Sequence, residues 1–236
     1  MRPFIAKQRR PQGRVLAGFA ALLCIGLAGA ARAGEDVAQS PATVVVSAKA
    51  PTDAQIALGK RLAQSCAACH GLDGNATSAQ FPKLAAQRSD YLYRELMRFK
   101  PQGPSKKPER VNPIMNGVAS ALSQQDMHDL ADYYSRQAIK PAIASNPKQV
   151  EIGEAIWRGG IADRRVAACA ACHGPGGLGM PSQYPRLAGQ WAGYIETQLH
   201  AFRSGARGDG TPMHDIASRM SDRQIRDVSD FVAGLR

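Results

Sequence analysis

The hexapeptide C-A-A-C-H-G occurs twice, at residues 66–71 and again at residues 169–174, 103 positions apart. A fixed offset extends well beyond the motif. F-P-K-L-A-A-Q-R-S-D-Y-L-Y-R-E-L-M-R-F-K (Phe81 to Lys100) aligns with Y-P-R-L-A-G-Q-W-A-G-Y-I-E-T-Q-L-H-A-F-R (Tyr184 to Arg203) at the same offset. I-M-N-G-V-A-S-A-L-S-Q-Q-D from Ile114 then aligns with P-M-H-D-I-A-S-R-M-S-D-R-Q from Pro212 at an offset of 98. The five-residue difference falls in a Pro/Gly/Lys-rich stretch, where length changes are tolerated. Self-similarity at this period means one unit of roughly a hundred residues made twice, rather than one large core. The proline-bearing K-P-A-I-A-S-N-P-K joins the copies.

Both copies read as helical. A-Q-I-A-L-G-K-R-L-A-Q-S before the first motif, and Tyr91–Phe99 with its counterpart Tyr194–Phe202, repeat apolar residues every three or four positions. Ser123 followed by Asp126, and Ser221 followed by Gln224, predict a capped final helix in each copy. About three short helices and long Gly/Pro loops leave a thin apolar core, so a non-protein group is expected to fill the middle. The β-branched T-V-V-V at residues 43–46 lies outside the repeat.

The first 33 residues carry a basic start (Arg2, Lys7, Arg9, Arg10, Arg14), an apolar run and a terminal A-R-A, the layout of a secretory signal peptide cleaved after Ala33. A retained membrane anchor is the alternative, but the run from Val15 to Ala31 is short and Gly-broken for a span of ~20 residues. Without that segment the formal charge falls from +11 to +5, spread evenly over the two copies. No basic block or aromatic-interleaved patch remains, which argues against nucleic-acid binding. The expected organisation is a signal peptide (1–33), a flexible leader (34–51), an N-terminal domain (52–140), a linker (141–147) and a C-terminal domain (148–236).

Export sharpens the meaning of the cysteines, because an oxidising compartment drives unprotected thiols into disulfides. Four of the five form the C-x-x-C pairs Cys66/Cys69 and Cys169/Cys172; the fifth, Cys24, lies in the signal. A C-x-x-C pair serves a zinc knuckle, a thioredoxin-like redox pair or covalent haem attachment. Zinc needs four converging ligands, so two knuckles 103 residues apart would have to bridge the copies. A thioredoxin-like pair expects a preceding strand, and none is predicted. Haem c attachment uses both thiols as thioethers and the very next histidine, His70 or His173, as an iron ligand. The second iron ligand should also recur in both copies. Of the methionines, only Met115 and Met213 are repeat-equivalent, and no histidine other than His70 and His173 recurs. Pro82 and Pro185, each twelve residues after its histidine, are suited to present a carbonyl to the ring N–H that a metal-bound imidazole must donate.

These residues together resemble the dihaem cytochrome c4 family, a duplicated class I cytochrome c, over about Thr52 to Arg236. The likeness rests on the doubled C-A-A-C-H-G, P-K-L-A and P-R-L-A-G-Q, the Y-x-x-x-x-L-x-x-F-K/R segments and the two Met-bearing loops. It implies an all-α fold of two tandem cytochrome c domains with two haem c groups, His/Met-ligated iron, and prolines 82 and 185 behind the histidines. It further implies a periplasmic electron carrier, not an enzyme. Such a protein passes electrons from a quinol-oxidising bc1-type complex to a terminal oxidase and binds no small-molecule substrate at iron. Peripheral membrane association is left open. The rival is a dihaem peroxidase or the haem subunit of a sulfur-compound dehydrogenase, which would be expected to differentiate one haem. The resemblance has no counterpart for residues 34–51. Intact-mass and N-terminal analysis of the exported protein should find Gly34 first, with two haem c masses added; an N-terminus at Met1 would point to the retained anchor.

Overall fold

The computed structural model describes residues 50–102, 107–180 and 183–236, all within one compact unit. The predicted signal, the T-V-V-V stretch and all of the leader except Ala50 and Pro51 lie outside the described residues. The described chain is helical, with only isolated β-bridges. Its first half contains α1 (Asp53–Leu62), α2 (Ala67–His70), α3 (Ser89–Phe99), α4 (Pro113–Ser120) and α5 (Gln124–Ser135). The second repeats the order as α6 (Pro147–Gly159), α7 (Ala170–His173), α8 (Ala192–Arg203), α9 (Pro212–Ala217) and α10 (Asp222–Gly234). No described helix is long and apolar enough to cross a membrane.

Periodicity predicts about three helices per copy, and the described residues form five α-helices in each half. The additional two are α2 and α4, with their counterparts α7 and α9, which are too short for a 3.6-residue pattern to declare itself. Local chemistry starts them instead. Asn112 and Thr211 accept backbone N–H groups at the N-termini of α4 and α9, and each is followed by a proline at the first helical position. Met115 and Met213 therefore sit in the first turn of short helices, not in the loops expected from sequence. The anticipated capping boxes form at Ser123/Asp126 and Ser221/Gln224, and another at Thr52/Gln55.

In each half the first long helix crosses the last: α1 packs on α5, and α6 on α10. The crossings are closed by glycine. A Cβ placed on Gly59 would lie 2.1 Å from the Asp129 carbonyl oxygen and 2.8 Å from Tyr133 Cβ. One on Gly153 would lie 2.2 Å from the Asp227 oxygen and 2.7 Å from Phe231 Cβ. The backbones thus approach more closely than any side chain permits. Around the second crossing Ile156, Trp157, Ile225, Val228, Phe231 and Val232 form the core, and Trp157 Nε1 donates to the Pro175 carbonyl at 3.1 Å. The first half buries Leu92, Leu130, Tyr133 and Tyr134 correspondingly. Buried Asp230 fixes the entry to α6, accepting from Ser145 N (2.8 Å), Ser145 Oγ (2.9 Å) and Asn146 N (2.9 Å).

Because backbone atoms, not flexible side-chain ends, occupy the space, Gly59→Ala and Gly153→Ala should each destabilise the protein by about 2–3 kcal/mol, the usual cost of overpacking. Exposed Gly159 has nothing within 4 Å of its would-be Cβ. Gly159→Ala should accordingly be neutral or stabilising by up to ~1 kcal/mol. Denaturant midpoints of the three variants test this ordering.

Candidate functional site

Each C-x-x-C-H segment folds as one helical turn. His70 N donates to the Cys66 carbonyl at 3.0 Å, and His173 N to that of Cys169 at 2.9 Å. One turn puts the two cysteines of a pair on the same side, three residues apart, with the histidine next. Gly71 (φ 77°) and Gly174 (φ 80°) then end the turns in a conformation that L side chains rarely adopt. All four cysteines are partly buried and none is in a disulfide. No group of three or more His, Cys, Asp or Glu converges among the described residues, so the zinc alternative has no donor set there.

His70 and His173 are buried, at 8% and 7% exposure. Their Nδ1 atoms lie 3.0 Å from the Pro82 oxygen and 3.1 Å from the Pro185 oxygen. A carbonyl can only accept, so Nδ1 carries the proton and Nε2 keeps its lone pair. Burial lowers both imidazole pKa values, outweighing the upward pull of the proline carbonyls. Both rings are thus held neutral, in the tautomer that can ligate a metal through Nε2.

Both histidines, Met115 and Met213 line one cavity of about 1120 Å³ running between the halves. That exceeds the ~300–1,000 Å³ of an ordinary single-ligand pocket. The other methionines among the described residues are placed elsewhere. Met127 and Met220 are core residues, Met97 packs beside Phe99 and Met127, and Met180 is in a loop bridge with Tyr184. The other histidines also point to other partners: His128 stacks on Tyr93 with centroids 3.8 Å apart, and His200 and His214 bond to Arg203 and to the Phe202 carbonyl.

The cavity wall suits a large, partly anionic group. Tyr134 contributes a buried hydroxyl without a hydrogen-bond partner, and burial beside Cys66 raises its pKa. Glu95 is bound by Arg98, Arg110 and Arg207. Burial alone would raise the Glu95 pKa, but Arg207, Arg110 and Arg98 outweigh it and the carboxyl stays ionised. Arg207 also donates to Tyr91 OH at 2.8 Å and Gln198 Oε1 at 2.6 Å, and Arg110 to Gln198 Oε1 at 2.7 Å. The Arg110 guanidinium lies over Phe99 and that of Arg207 over Phe202, 4.4 and 4.5 Å from the ring centroids. Three guanidiniums around Glu95, with Glu109 3.6 Å from Arg98, still leave net positive charge at the wall, complementary to the carboxylates of a haem. Two thiols, a neutral imidazole and a thioether in each half, with one cationic cluster at the junction, form a donor set that fits haem c.

A pair of crossed amide clamps also joins the halves. Gln87 Oε1 accepts from Arg186 N (2.8 Å), and its Nε2 donates to the Arg186 carbonyl (2.9 Å). Gln190 Oε1 accepts from Lys83 N (2.9 Å), and its Nε2 donates to the Lys83 carbonyl (2.9 Å). The residue before each glutamine, Ala86 (φ 56°) or Gly189 (φ 76°), takes a left-handed turn. Sequence reasoning did not assign these glutamines or the Glu95–arginine cluster. The signal for the former was present, since both copies of the repeat read P-x-L-A-x-Q.

A Cytochrome c family model matches residues 56–135 and 164–236. Cytochrome c4 from Azotobacter vinelandii is 38% identical over 82% of this chain and 95% of its own length. The thiosulfate dehydrogenase electron acceptor of Thiomonas intermedia (strain K12) is 37% identical over 72% of this chain and 78% of its own. The crystal structure of reduced recombinant cytochrome c4 from Pseudomonas stutzeri superposes with a TM-score of 0.71 at 36% identity, covering 77% of this chain and 98% of that one. With two cytochrome c domains, two sites for covalent haem c and relatives of this kind across most of its length, the chain belongs to the cytochrome c4 family of dihaem electron carriers.

Proposed function

We propose that this protein is a periplasmic carrier that takes electrons from a quinol-oxidising, bc1-type complex and delivers them to a terminal oxidase. In this reading Cys66, Cys69, Cys169 and Cys172 hold the haems as thioethers. His70 with Met115, and His173 with Met213, ligate the irons; Pro82 and Pro185 orient the histidines. The domains run from 52 to 140 and from 148 to 236, joined by the linker 141–147. Residues 1–33 direct export, and residues 34–51 act as a leader that leaves peripheral membrane association open.

The observation that carries the ligand assignment is the shared cavity: among the described residues it is lined by two histidines and two methionines, one of each from each half. When bound, haem iron supplies a one-electron ferrous–ferric couple. The chain's own residues do the rest. Neutral imidazoles, fixed by the proline carbonyls, present Nε2 without a rotational search. The Met115 amide donates to Asn112 Oδ1 at 3.0 Å, tying the methionine's backbone to the start of α4. With Met115 and Met213 as the second iron ligands, their thioethers would raise the reduction potential and would leave no open site for a substrate. The paired methionines therefore favour electron transfer over catalysis at iron.

A second reading concerns the donor. The Thiomonas relative is named as an electron acceptor of thiosulfate dehydrogenase, which supports a sulfur-compound dehydrogenase in place of the bc1-type complex, or a place within such an enzyme.

Met115→Ala should lower the potential of one haem by about a tenth of a volt or more, well within the ~0.8 V that axial ligands span. The vacated position should then bind cyanide when oxidised or carbon monoxide when reduced, at one haem per chain. Redox titration and ligand-difference spectra test this; unchanged potentials and no ligand binding would remove Met115 from the iron. The donor is tested by mixing oxidised protein with each dehydrogenase. Rapid reduction by the bc1-type complex supports the first reading, and reduction by thiosulfate dehydrogenase alone supports the second.

A further inference from the structure

The amide clamps reach the histidines through a shared peptide group. The Pro82 carbonyl that accepts from His70 Nδ1 and the Lys83 N–H that donates to Gln190 Oε1 belong to the same peptide unit. The mirror arrangement holds in the other half, where the Pro185 carbonyl accepts from His173 and the Arg186 N–H of that peptide donates to Gln87 Oε1. Each chain of hydrogen bonds starts at a histidine of one half and ends on a glutamine of the other.

We propose that Gln190 and Gln87 are positioning residues that set the electron-donating strength of the histidine in the opposite half, so that each domain tunes its neighbour's haem. The proposal rests on the reading of His70 and His173 as iron ligands. The peptide C–N bond is partly double, so charge drawn at N–H is returned at the carbonyl oxygen. A hydrogen bond accepted from Lys83 N therefore makes the Pro82 oxygen a stronger acceptor, a cooperative strengthening of roughly 10–30% per bond. The stronger acceptor draws the His70 Nδ1 proton towards itself, makes the imidazole more basic at Nε2 and favours ferric over ferrous iron.

The surroundings keep this arrangement rigid. Gln87 and Gln190 are 7% and 6% exposed, so water does not compete for their amides. Each Oε1 also accepts from the next backbone N–H of its own half, Arg88 N at 2.9 Å and Trp191 N at 3.0 Å. Each Nε2 holds the carbonyl of Lys83 or Arg186, so both ends of the side-chain amide grip one residue of the opposite loop. Trp191 closes over the first loop, with Lys83 Nζ 4.2 Å from its ring centroid.

The test uses the full holoprotein and the pair Gln190→Met and Gln87→Met, which keep side-chain length and remove the amide. Potentials are measured for each haem separately, with haems assigned by NMR connectivities through the two C-x-x-C-H peptides. Gln190→Met should raise the potential of the His70 haem and leave the His173 haem in place; Gln87→Met should do the reverse. In the reduced protein the Nδ1–H resonance of the histidine opposite the substitution should move upfield as its hydrogen bond weakens. The proposal is overturned by no shift, by equal shifts at both haems, or by a shift confined to the substituted half. A loss of packing alone would give one of the last two. Gln190→Asn, whose amide is too short to span the junction, gives the same readout if the methionine variant does not fold. The wild-type spectrum separates this proposal from its premise. Absence of ring-current-shifted His70 and Met115 protons would overturn the ligand reading, whereas their presence without a crossed shift would overturn the relay alone.

Discussion

The hydrogen bond from each motif histidine to a proline carbonyl twelve residues on is the constraint around which each half is arranged. It selects one tautomer of a buried imidazole and closes a loop whose two ends must both be held in place. The one-turn helices α2 and α7 fix the histidine end. The other end is held by the turn through Leu84–Gln87, or Leu187–Gln190, whose backbone amides bond back to Gly74 and Gly177: Leu84 N to the Gly74 carbonyl at 2.7 Å, and Leu187 N to that of Gly177 at 2.8 Å. The glycine-closed helix crossings behind the motifs carry the hydrophobic core. The interior beside the histidines is left as cavity, which explains why the chain's apolar content looks thin for two domains.

Duplication makes the departures from symmetry informative. Tyr91 and Tyr194, Phe99 and Phe202, and the paired glutamines recur, whereas Glu95 faces Gln198 and Tyr134 faces Val232 in the repeat. The first of these breaks leaves a single carboxylate for the junction's arginines, and the second puts a buried hydroxyl in one half only. Two sites lined by the same histidine and methionine pair thus sit in different electrostatic surroundings. Buried charges and dipoles act strongly where water is excluded. Unequal environments for the two haem sites follow from the chain itself.

Much of this was legible in the sequence because the sequence states it twice. A residue that recurs at a fixed offset is filtered from the noise of its neighbours, which is how Met115 and Met213 stand out from Met97, Met127, Met180 and Met220. Helices such as α5 and α10 declare themselves through capping boxes and periodicity. The short helices α4 and α9 do not, since fewer than three turns give no stable pattern and their starts depend on an Asn-Pro or Thr-Pro pair. The junction was illegible for a different reason. Which surfaces of two similar domains face one another is decided by long-range packing, and a glutamine in P-x-L-A-x-Q gives no local sign that its partner lies about a hundred residues away. The Glu95 cluster is likewise assembled from α3, the segment before α4 and the loop after α8, three places that no spacing rule connects.

The central claim is that each half holds haem iron between one imidazole and one thioether. The most direct measurement is the near-infrared methionine–iron charge-transfer band of the oxidised protein, quantified against total haem and paired with electron paramagnetic resonance. The account predicts band intensity corresponding to two methionine-ligated haems per chain and only low-spin ferric signals. Intensity for one haem or none, or a high-spin signal of comparable weight, would contradict it.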